Sequence, residues 1–349
     1  MITELTRERW PRFQELVQGC DATGRWLVLT HDNPDPDSIA SAATLGRILR
    51  VAFRHPVTTA YGGIIGRAEN REMVKSLGIH LTHSRRINWN HYRHVALVDC
   101  QPGTGNNQLP EDWTPDLVFD HHPIRRATQK ASFTDIRIDY GATATILAEY
   151  LEISGVASNK RLATALVYAI RSETQDFGRE FGGADKAAFD VSFPQADIRV
   201  LARIQSPRLP LSYFATLLRS LASLETVSTL VVSHLGPVDQ PDIVPEIADL
   251  LLRIEGKTWS ACTGLYGNRL YMSLRTTNPR ADAGRLMRRI LGRRGKGGGH
   301  GMIAGGWIET NDDPRSTPES LQRHVARRLA QLLKKNPDRL TPLDLQNGA

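Results

Sequence analysis

An α/β fold built on a mostly parallel sheet follows from three short apolar runs, each ending in side chains that carry charge or a ring nitrogen. The first is Trp26-Leu27-Val28-Leu29-Thr30, followed at once by His31-Asp32-Asn33-Pro34-Asp35-Pro36-Asp37. The second, His94-Val95-Ala96-Leu97-Val98, ends on Asp99, and the third, Leu117-Val118-Phe119, ends on Asp120-His121-His122. Short runs of Val, Leu and Phe closed by breakers read as buried strands. Asn, Asp and Pro are ordinary turn residues, so one such run alone would mean little. Three of them ending in metal-competent side chains mean more, because ligands of an open parallel sheet bind beyond the carboxyl ends of its strands.

The remaining elements follow in order. After Asn33-Pro34 and Asp35-Pro36 the pattern predicts a helix beginning near Ser38. Val57-Thr58-Thr59-Ala60 reads as a strand, and Gly62-Gly63 with Gly66 as a tight strand-to-helix turn, because the spacing of a dinucleotide fingerprint is missing. Arg67 and Asn70 lie beside that turn as candidate substrate contacts. Residues 139–145 carry small and hydroxyl side chains suited to capping or packing a helix start. Residues 162–170 form an apolar helix, followed by Arg171-Ser172-Glu173-Thr174-Gln175-Asp176. From 183 to 225 helices are broken by Pro194, Pro207 and Pro210, a helical connector with too little Gly and Ser for a flexible linker. Residues 258–275 then alternate around Gly267-Asn268 as a hairpin, with Arg275 at the end of its second strand. An amphipathic helix over 282–291 leads into Gly295-Lys296-Gly297-Gly298-Gly299-His300-Gly301. This segment reads as a loop of backbone N–H groups able to cradle an anion, framed by Arg293, Arg294 and Lys296. Arg285, Arg288 and Arg289 precede it, and a basic helix over 323–333 closes the ordered chain.

The runs HDNPDPDSIAS, VDC, FDHHP and GGGHGMIAGG, in this order, resemble the DHH phosphoesterase family with its C-terminal DHH-associated domain, over about nine-tenths of the chain. The resemblance implies an α/β fold of two domains, an N-terminal mostly parallel-sheet DHH domain and a smaller α/β DHH-associated domain, with the active-site cleft between them. It sets a DHH catalytic domain at 1–185, a helical connector at 186–228, a substrate-binding domain at 229–336 and a mobile tail at 337–349. It also implies two divalent metal ions, Mn2+ first, with Mg2+ or Co2+ as alternatives. One would take His31, Asp35 and Asp99, the other Asp37, Asp99 and His121, with Asp99 bridging. Two metals about 3.5–4 Å apart clamp a phosphoryl group and acidify a water between them. Asp120 is then expected to orient an imidazole, and His122 to face the substrate as phosphate donor or proton source. Glu173 stands where family members carry an aspartate, with Asp176 as the competing ligand. Arg275, Gly298, Gly299 and His300 would hold the terminal phosphate and base of the substrate.

Composition agrees with this reading. The 349 residues, 40% of them hydrophobic, suffice for two cores, and 44 Lys and Arg against 37 Asp and Glu leave a charge of +7, suited to an anionic substrate. No stretch of the sequence interleaves aromatic and basic residues, which argues against binding of long duplexes and leaves short single-stranded RNA as a partner. Cys20, Cys100 and Cys262 form no paired framework, as expected of a reduced, cytoplasmic protein, with Cys100 a packing residue beside Asp99. The start lacks a signal pattern and no run approaches a membrane span. The expected activity is metal-dependent hydrolysis of phosphoester bonds in short nucleotides, oligoribonucleotides and adenosine 3',5'-bisphosphate, by a phosphoesterase that could form a homodimer. Cyclic-dinucleotide phosphodiesterase and exopolyphosphatase-like activities are the nearest alternatives. A non-catalytic nucleotide-binding sensor is the alternative of another class.

Overall fold

The computed structural model describes residues 2–178, 181–310 and 317–343, with the backbone alone at His300. The chain divides into two compact units, Met1–Pro207 and Arg208–Ala349. In the first unit α1 (Glu4–Gly19) precedes an alternation of β1 (Trp26–Leu29), α2 (Pro36–Val51), β2 (Val57–Tyr61), α3 (Ala68–Leu77), β3 (Thr82–His83), β4 (His94–Val98), β5 (Leu117–Asp120) and β6 (Phe133–Ile136). The helices α4 (Thr143–Ile153), α5 (Lys160–Glu173), α6 (Gly183–Ser192) and α7 (Ile198–Gln205) complete it. The sheet is parallel throughout, in the order β3-β2-β1-β4-β5-β6. The order reverses beside β1, so the crevice of such a sheet opens where β1 and β4 end.

Both faces of this sheet are covered, which is why its strands read as continuous apolar runs. Trp26 and Val28 enter one core with Phe13, Ile39, Leu45, Phe119 and Tyr150, while Leu27 and Leu29 enter the opposite one with Val95, Leu97 and Val118. Helix α2 begins at Pro36, two residues before the expected Ser38. Asp35 caps it, accepting the Ser38 N–H at 2.9 Å, and proline at the first helical position has no N–H to lose.

The second unit contains α8 (Leu211–Ala222), β7 (Glu225–Val227), β8 (Leu230–Pro237), α9 (Ile243–Leu251), β9 (Trp259–Tyr266), β10 (Arg269–Thr276), α10 (Ala283–Leu291), β11 (Gly295–His300), β12 (Ile303–Glu309), α11 (Pro318–Leu332) and β13 (Thr341–Pro342). Its sheet runs β11-β12-β10-β9-β8-β7-β13, antiparallel except between β8 and β9. Helices α10 and α11 cover one face over Leu270, Met272 and Leu274; α9 packs on the other over Val231, Leu235 and Cys262. The hairpin turns at Gly267-Asn268 as expected, with Gly267 at φ 58°.

Two expectations are corrected here. The glycine segment is a strand, not an anion-cradling loop: 295–300 pair in register with 303–308 of β12. A Cβ at Gly297 would stand 2.4 Å from Leu291 Cδ1, one at Gly299 2.2 Å from the Ile303 carbonyl oxygen, and one at Gly284 1.9 Å from the Gly299 carbonyl oxygen. The missing side chains let α10 lie directly on the strand. The expected mobile tail is in part paired: Thr341 and Pro342 join β7, and the Leu343 N–H donates to the Leu224 carbonyl at 2.8 Å, while 344–349 lie outside the described residues. Among the described residues no helix is long and apolar enough to cross a membrane.

Candidate metal centre at the sheet crevice

The strand order brings the loops after β1 and β4 together, and the side chains meet accordingly. His31 is directed by its own loop: Nδ1 lies 2.9 Å from the Asp32 carbonyl, so Nδ1 donates and Nε2 is the nitrogen turned to the acids. That Nε2 is 3.5 Å from Asp35 Oδ1 and 3.4 Å from Asp99 Oδ2. Asp99 leaves β4 with a left-handed backbone, φ 57°, while its N–H stays on the Phe119 carbonyl at 2.8 Å. Asp tolerates this region better than most residues, and the turn sends the carboxylate, 4% exposed, into the crevice. From β5, His121 places Nε2 3.7 Å from Asp99 Oδ1 and Nδ1 3.1 Å from the Tyr140 carbonyl. His31, Asp35 and Asp99 thus offer ligand atoms within 4.8 Å of one another, as do Asp99, His121 and His122.

His122 differs from its neighbour. Its Nδ1 is 2.8 Å from Asp120 Oδ1 and 3.8 Å from Asp99 Oδ1, and its side chain is 45% exposed. A ring nitrogen donating to Asp120 has no lone pair for a cation, so Nε2 is the His122 nitrogen suited to meet a ligand. Burial works against the imidazolium, but the bond to Asp120 and the charge of Asp99 outweigh it and raise its pKa to about 9. Asp120 is itself buried; that would raise its pKa, yet His122 and the Gln101 amide hold it below the usual carboxylate range.

Asp37, 1% exposed, spends both oxygens on the start of α4: Oδ2 accepts the Thr143 N–H and Oδ1 the Ala144 N–H, each at 2.7 Å. It therefore caps a helix more than a hundred residues away. Burial and the charges of Asp99, Asp35 and Glu173 push its pKa well above the ordinary range. Glu173 is the last residue of α5, and its charge is also felt at His122. Asp176 turns to Arg171, whose Nε donates to it at 2.5 Å, and is 67% exposed, which favours Glu173 of the two.

These residues fit a divalent cation. His121 Nε2 is buried without a hydrogen-bond partner among the described residues, although its Nδ1 is fully committed. Burial first, and then the negative charges of Asp99, Asp35 and Glu173, drive Asp37 toward its neutral form, which a bound cation would counter. His31 carries the complementary signal: burial disfavours its charged form, but Asp35 and Asp99 hold its pKa well above the ordinary value, so a positive charge belongs between them. A set of imidazole and carboxylate donors suits manganese, magnesium, zinc and their neighbours.

Several supporting residues have no distinct signal in the sequence. Gln101, 1% exposed, donates to Asp120 Oδ2 at 2.7 Å and accepts from the Arg125 N–H and Thr128 Oγ1, each at 2.7 Å. The Thr143 hydroxyl donates to Asp99 Oδ1 at 3.0 Å. Asp185 of α6, fully buried, accepts from the Gly141 N–H at 2.8 Å, the Gly182 N–H at 2.7 Å and the Thr145 hydroxyl at 2.5 Å. It clamps the segment that carries the Tyr140 carbonyl and the amides serving Asp37. The Tyr140 hydroxyl is held in turn by Arg137 and Glu149, both at 2.8 Å. Only the spacing Gly182-x-x-Asp185, which suits a helix start, hints at one member of this network.

Asn70 donates to the Pro34 carbonyl at 3.2 Å and so fastens the loop after β1. The thiol of Cys100 is buried among apolar residues, and burial, with Asp120 and Asp99 nearby, pushes its pKa well up, as befits a packing residue. In the second unit Arg275 is 8% exposed, with Nε on Asp249 at 2.6 Å and Nη1 on the Leu274 and Ala304 carbonyls. Gly298 and Gly299 lie in β11, and the His300 side chain lies outside the described residues.

Residues 25–170 match the DHH family, N-terminal domain, and residues 228–334 the DHHA1 domain. An uncharacterized protein of Methanocaldococcus jannaschii is 33% identical over 280 residues, which is 80% of this chain and 56% of that relative. The chain thus spans about half the length of the curated relative it matches. The crystal structure of an exopolyphosphatase-related protein from Bacteroides fragilis superposes with a TM-score of 0.73, covering 96% of this chain and 100% of that one at 14% identity, a likeness of fold. With both halves of the family pattern matched in order on the two units, the chain belongs to the DHH phosphoesterase family, an N-terminal DHH domain followed by a DHH-associated domain.

Proposed function

We propose that this protein is a metal-dependent hydrolase of phosphoester bonds in short nucleotides, namely oligoribonucleotides and adenosine 3',5'-bisphosphate. The observation that carries the reading is the convergence of His31, Asp35, Asp99 and His121 where the sheet order reverses, beside a half-exposed imidazole fixed by a buried aspartate. His31, Asp35 and Asp99 would hold one cation, and Asp37, Asp99 and His121 a second, with Glu173 as a further ligand. Such ions, manganese first among them, supply charge neutralisation at the phosphoryl oxygens and a more acidic water. Water adds to phosphorus, the bond from phosphorus to the leaving oxygen breaks, and the products are a phosphate monoester or phosphate and an alcohol.

The remaining roles fall to the chain itself. With Nδ1 on Asp120, His122 would meet the substrate through Nε2, and its raised pKa keeps it protonated at neutral pH in the metal-free protein. It is thereby suited to donate to a phosphoryl oxygen and to pass a proton to the leaving oxygen. Asp120, tied to Gln101, fixes that ring, and the Thr143 hydroxyl steadies Asp99. Arg275, Gly298, Gly299 and His300 are retained as proposed substrate contacts; Arg275→Ala is then expected to raise KM more than it lowers kcat.

The test is hydrolysis by metal-stripped protein, with and without added manganese, of a labelled diribonucleotide beside adenosine 3',5'-bisphosphate, a cyclic dinucleotide, polyphosphate and pyrophosphate. Manganese-restored turnover greatest on the diribonucleotide supports the reading. Preference for the cyclic dinucleotide or polyphosphate replaces the substrate assignment, and tight nucleotide binding without turnover makes the protein a sensor.

A further inference from the structure

The sheet of the second unit carries a group of side chains that its hydrophobic cores explain only in part: Cys262 and Tyr271 meet the core under α9, whereas Trp307, Arg269, Lys296 and Ser273 do not belong to it. Paired positions of adjacent strands share a face. The register Gly264–Tyr271–Trp307–Lys296 therefore sets two aromatic rings and a cation side by side, and the row Tyr266–Arg269–Glu309 sets a third ring and a second cation next to them. The row on the other side is Cys262–Ser273–Gly305–Gly298. The opposite face of the same strands is the core under α10 and α11. Arg269 Cζ lies 3.9 Å from the centroid of Trp307 and Lys296 Nζ 6.0 Å from it, while Tyr266 and Tyr271 meet edge to face at 6.2 Å. Trp307, Arg269 and Tyr271 are half-buried; Lys296 and Tyr266 are exposed.

The glycine row makes room beside these rings. A Cβ at Gly298 would meet nothing within 4 Å, and one at Gly305 nothing nearer than 3.7 Å, in contrast to the crowded Gly297 and Gly299 on the other face. In that row the Ser273 hydroxyl is buried and has no hydrogen-bond partner among the described residues. A floor without side chains, a hydroxyl in want of a partner and a ring platform edged by cations suit a flat heterocycle attached to an anion. A purely apolar partner would gain nothing from guanidinium and ammonium groups on the indole, and a polyphosphate chain would gain nothing from the rings.

We propose that this face is a nucleobase-binding subsite, in which Trp307 stacks a base of the nucleotide, Arg269 and Lys296 attract its phosphate, and Ser273 meets a polar edge. The proposal deepens the nucleotide-hydrolase reading and rests on it for the identity of the substrate. Strand pairing is what unites Trp307, Arg269 and Lys296 and sets Ser273 in the next row.

The test is binding of adenylyl-(3'→5')-adenosine, adenosine 5'-monophosphate and tripolyphosphate to the metal-free chain with both units present, followed by calorimetry and tryptophan fluorescence. Trp307→Ala should weaken the dinucleotide about tenfold, the loss expected when one stacked base is set free, while Trp307→Phe keeps most of the affinity. Tripolyphosphate should bind both variants as it binds the parent, which also shows that both are folded. Equal dinucleotide affinity in parent and Trp307→Ala overturns the subsite, as does an equal loss for tripolyphosphate. Turnover assays separate the two readings. Dinucleotide hydrolysis with kcat/KM unchanged in Trp307→Ala overturns the subsite and leaves the hydrolase standing. Trp307-dependent binding without hydrolysis of any nucleotide overturns the hydrolase and supports the subsite.

Discussion

Asp99 adopts a left-handed backbone, φ 57°, at a cost of about 1–2 kcal/mol for a residue with a Cβ. Its carboxylate stands between His31 and His121, and that position repays the strain only when the oxygens are used. Asp99→Gly should therefore be no less stable to heat than Asp99→Ala, while both lose manganese uptake by more than the roughly 100-fold that loss of an outer partner can cause. Calorimetric titration of metal into the two variants, with a thermal melt of each, checks both halves. At His122 the imidazole pKa is raised from its ordinary 6.5 to about 9 in the metal-free protein. A raised pKa means that the folded state binds the proton more tightly, so this stabilisation is complete below pH 6.5 and fades as pH climbs through about 9. Asp120→Asn should return the ring toward its ordinary titration and flatten that alkaline loss, as followed by the His122 ring resonances. Glu173→Asp, which restores the shorter acid of the family pattern, should retain or raise turnover if Glu173 is a ligand; a collapse would show that the longer side chain is matched to this pocket. The convergence of His31, Asp35, Asp99 and His121 on one crevice was legible from their place at strand ends. Gln101 and Thr143 were not, because an amide or hydroxyl acquires its role only from the buried carboxylate that the fold brings to it.

The segment before α4 gathers three demands: the Tyr140 carbonyl orients His121, the Thr143 and Ala144 amides hold Asp37, and the Thr143 hydroxyl holds Asp99. Asp185 fastens it from α6. Asp185→Ala leaves buried donors without an acceptor and should cost about 2–4 kcal/mol of stability in chemical denaturation, with metal affinity falling about 10–100-fold. Asp185→Asn, which keeps one acceptor oxygen, should recover part of both. A variant as stable as the parent and with the same metal affinity would reduce the clamp to a bystander. The helix limits were mostly readable, since capping is local: Asp35 before α2 and Asp282 before α10 each accept an N–H three residues on. The glycine run was misread for a complementary reason. Glycine suits both a phosphate loop and a strand on which a helix lies closely, and only the neighbours of its missing Cβ atoms separate the two.

Each unit has its own cores, so damage to one should spare the chemistry of the other. Gly299→Ala, with its Cβ against the Ile303 carbonyl and a backbone at φ 148°, should lower the unfolding transition of the second unit by about 2–4 kcal/mol while manganese uptake by the first is retained. Loss of metal binding in that variant would mean that the units do not fold separately. The α/β class, the strand ends that bear the histidines and aspartates and the family followed from the chain alone, because apolar runs, breakers and contiguous motifs are local and periodicity exposes them. Partners across long stretches of chain were decided by the tertiary structure: Asp37 on the amides of α4 106 and 107 residues away, Asp185 on Gly141, and Trp307 beside Arg269 and Lys296. A sequence read residue by residue shows no interleaving of aromatic and basic side chains. Strand pairing supplies it, because register sets side by side what the backbone holds far apart.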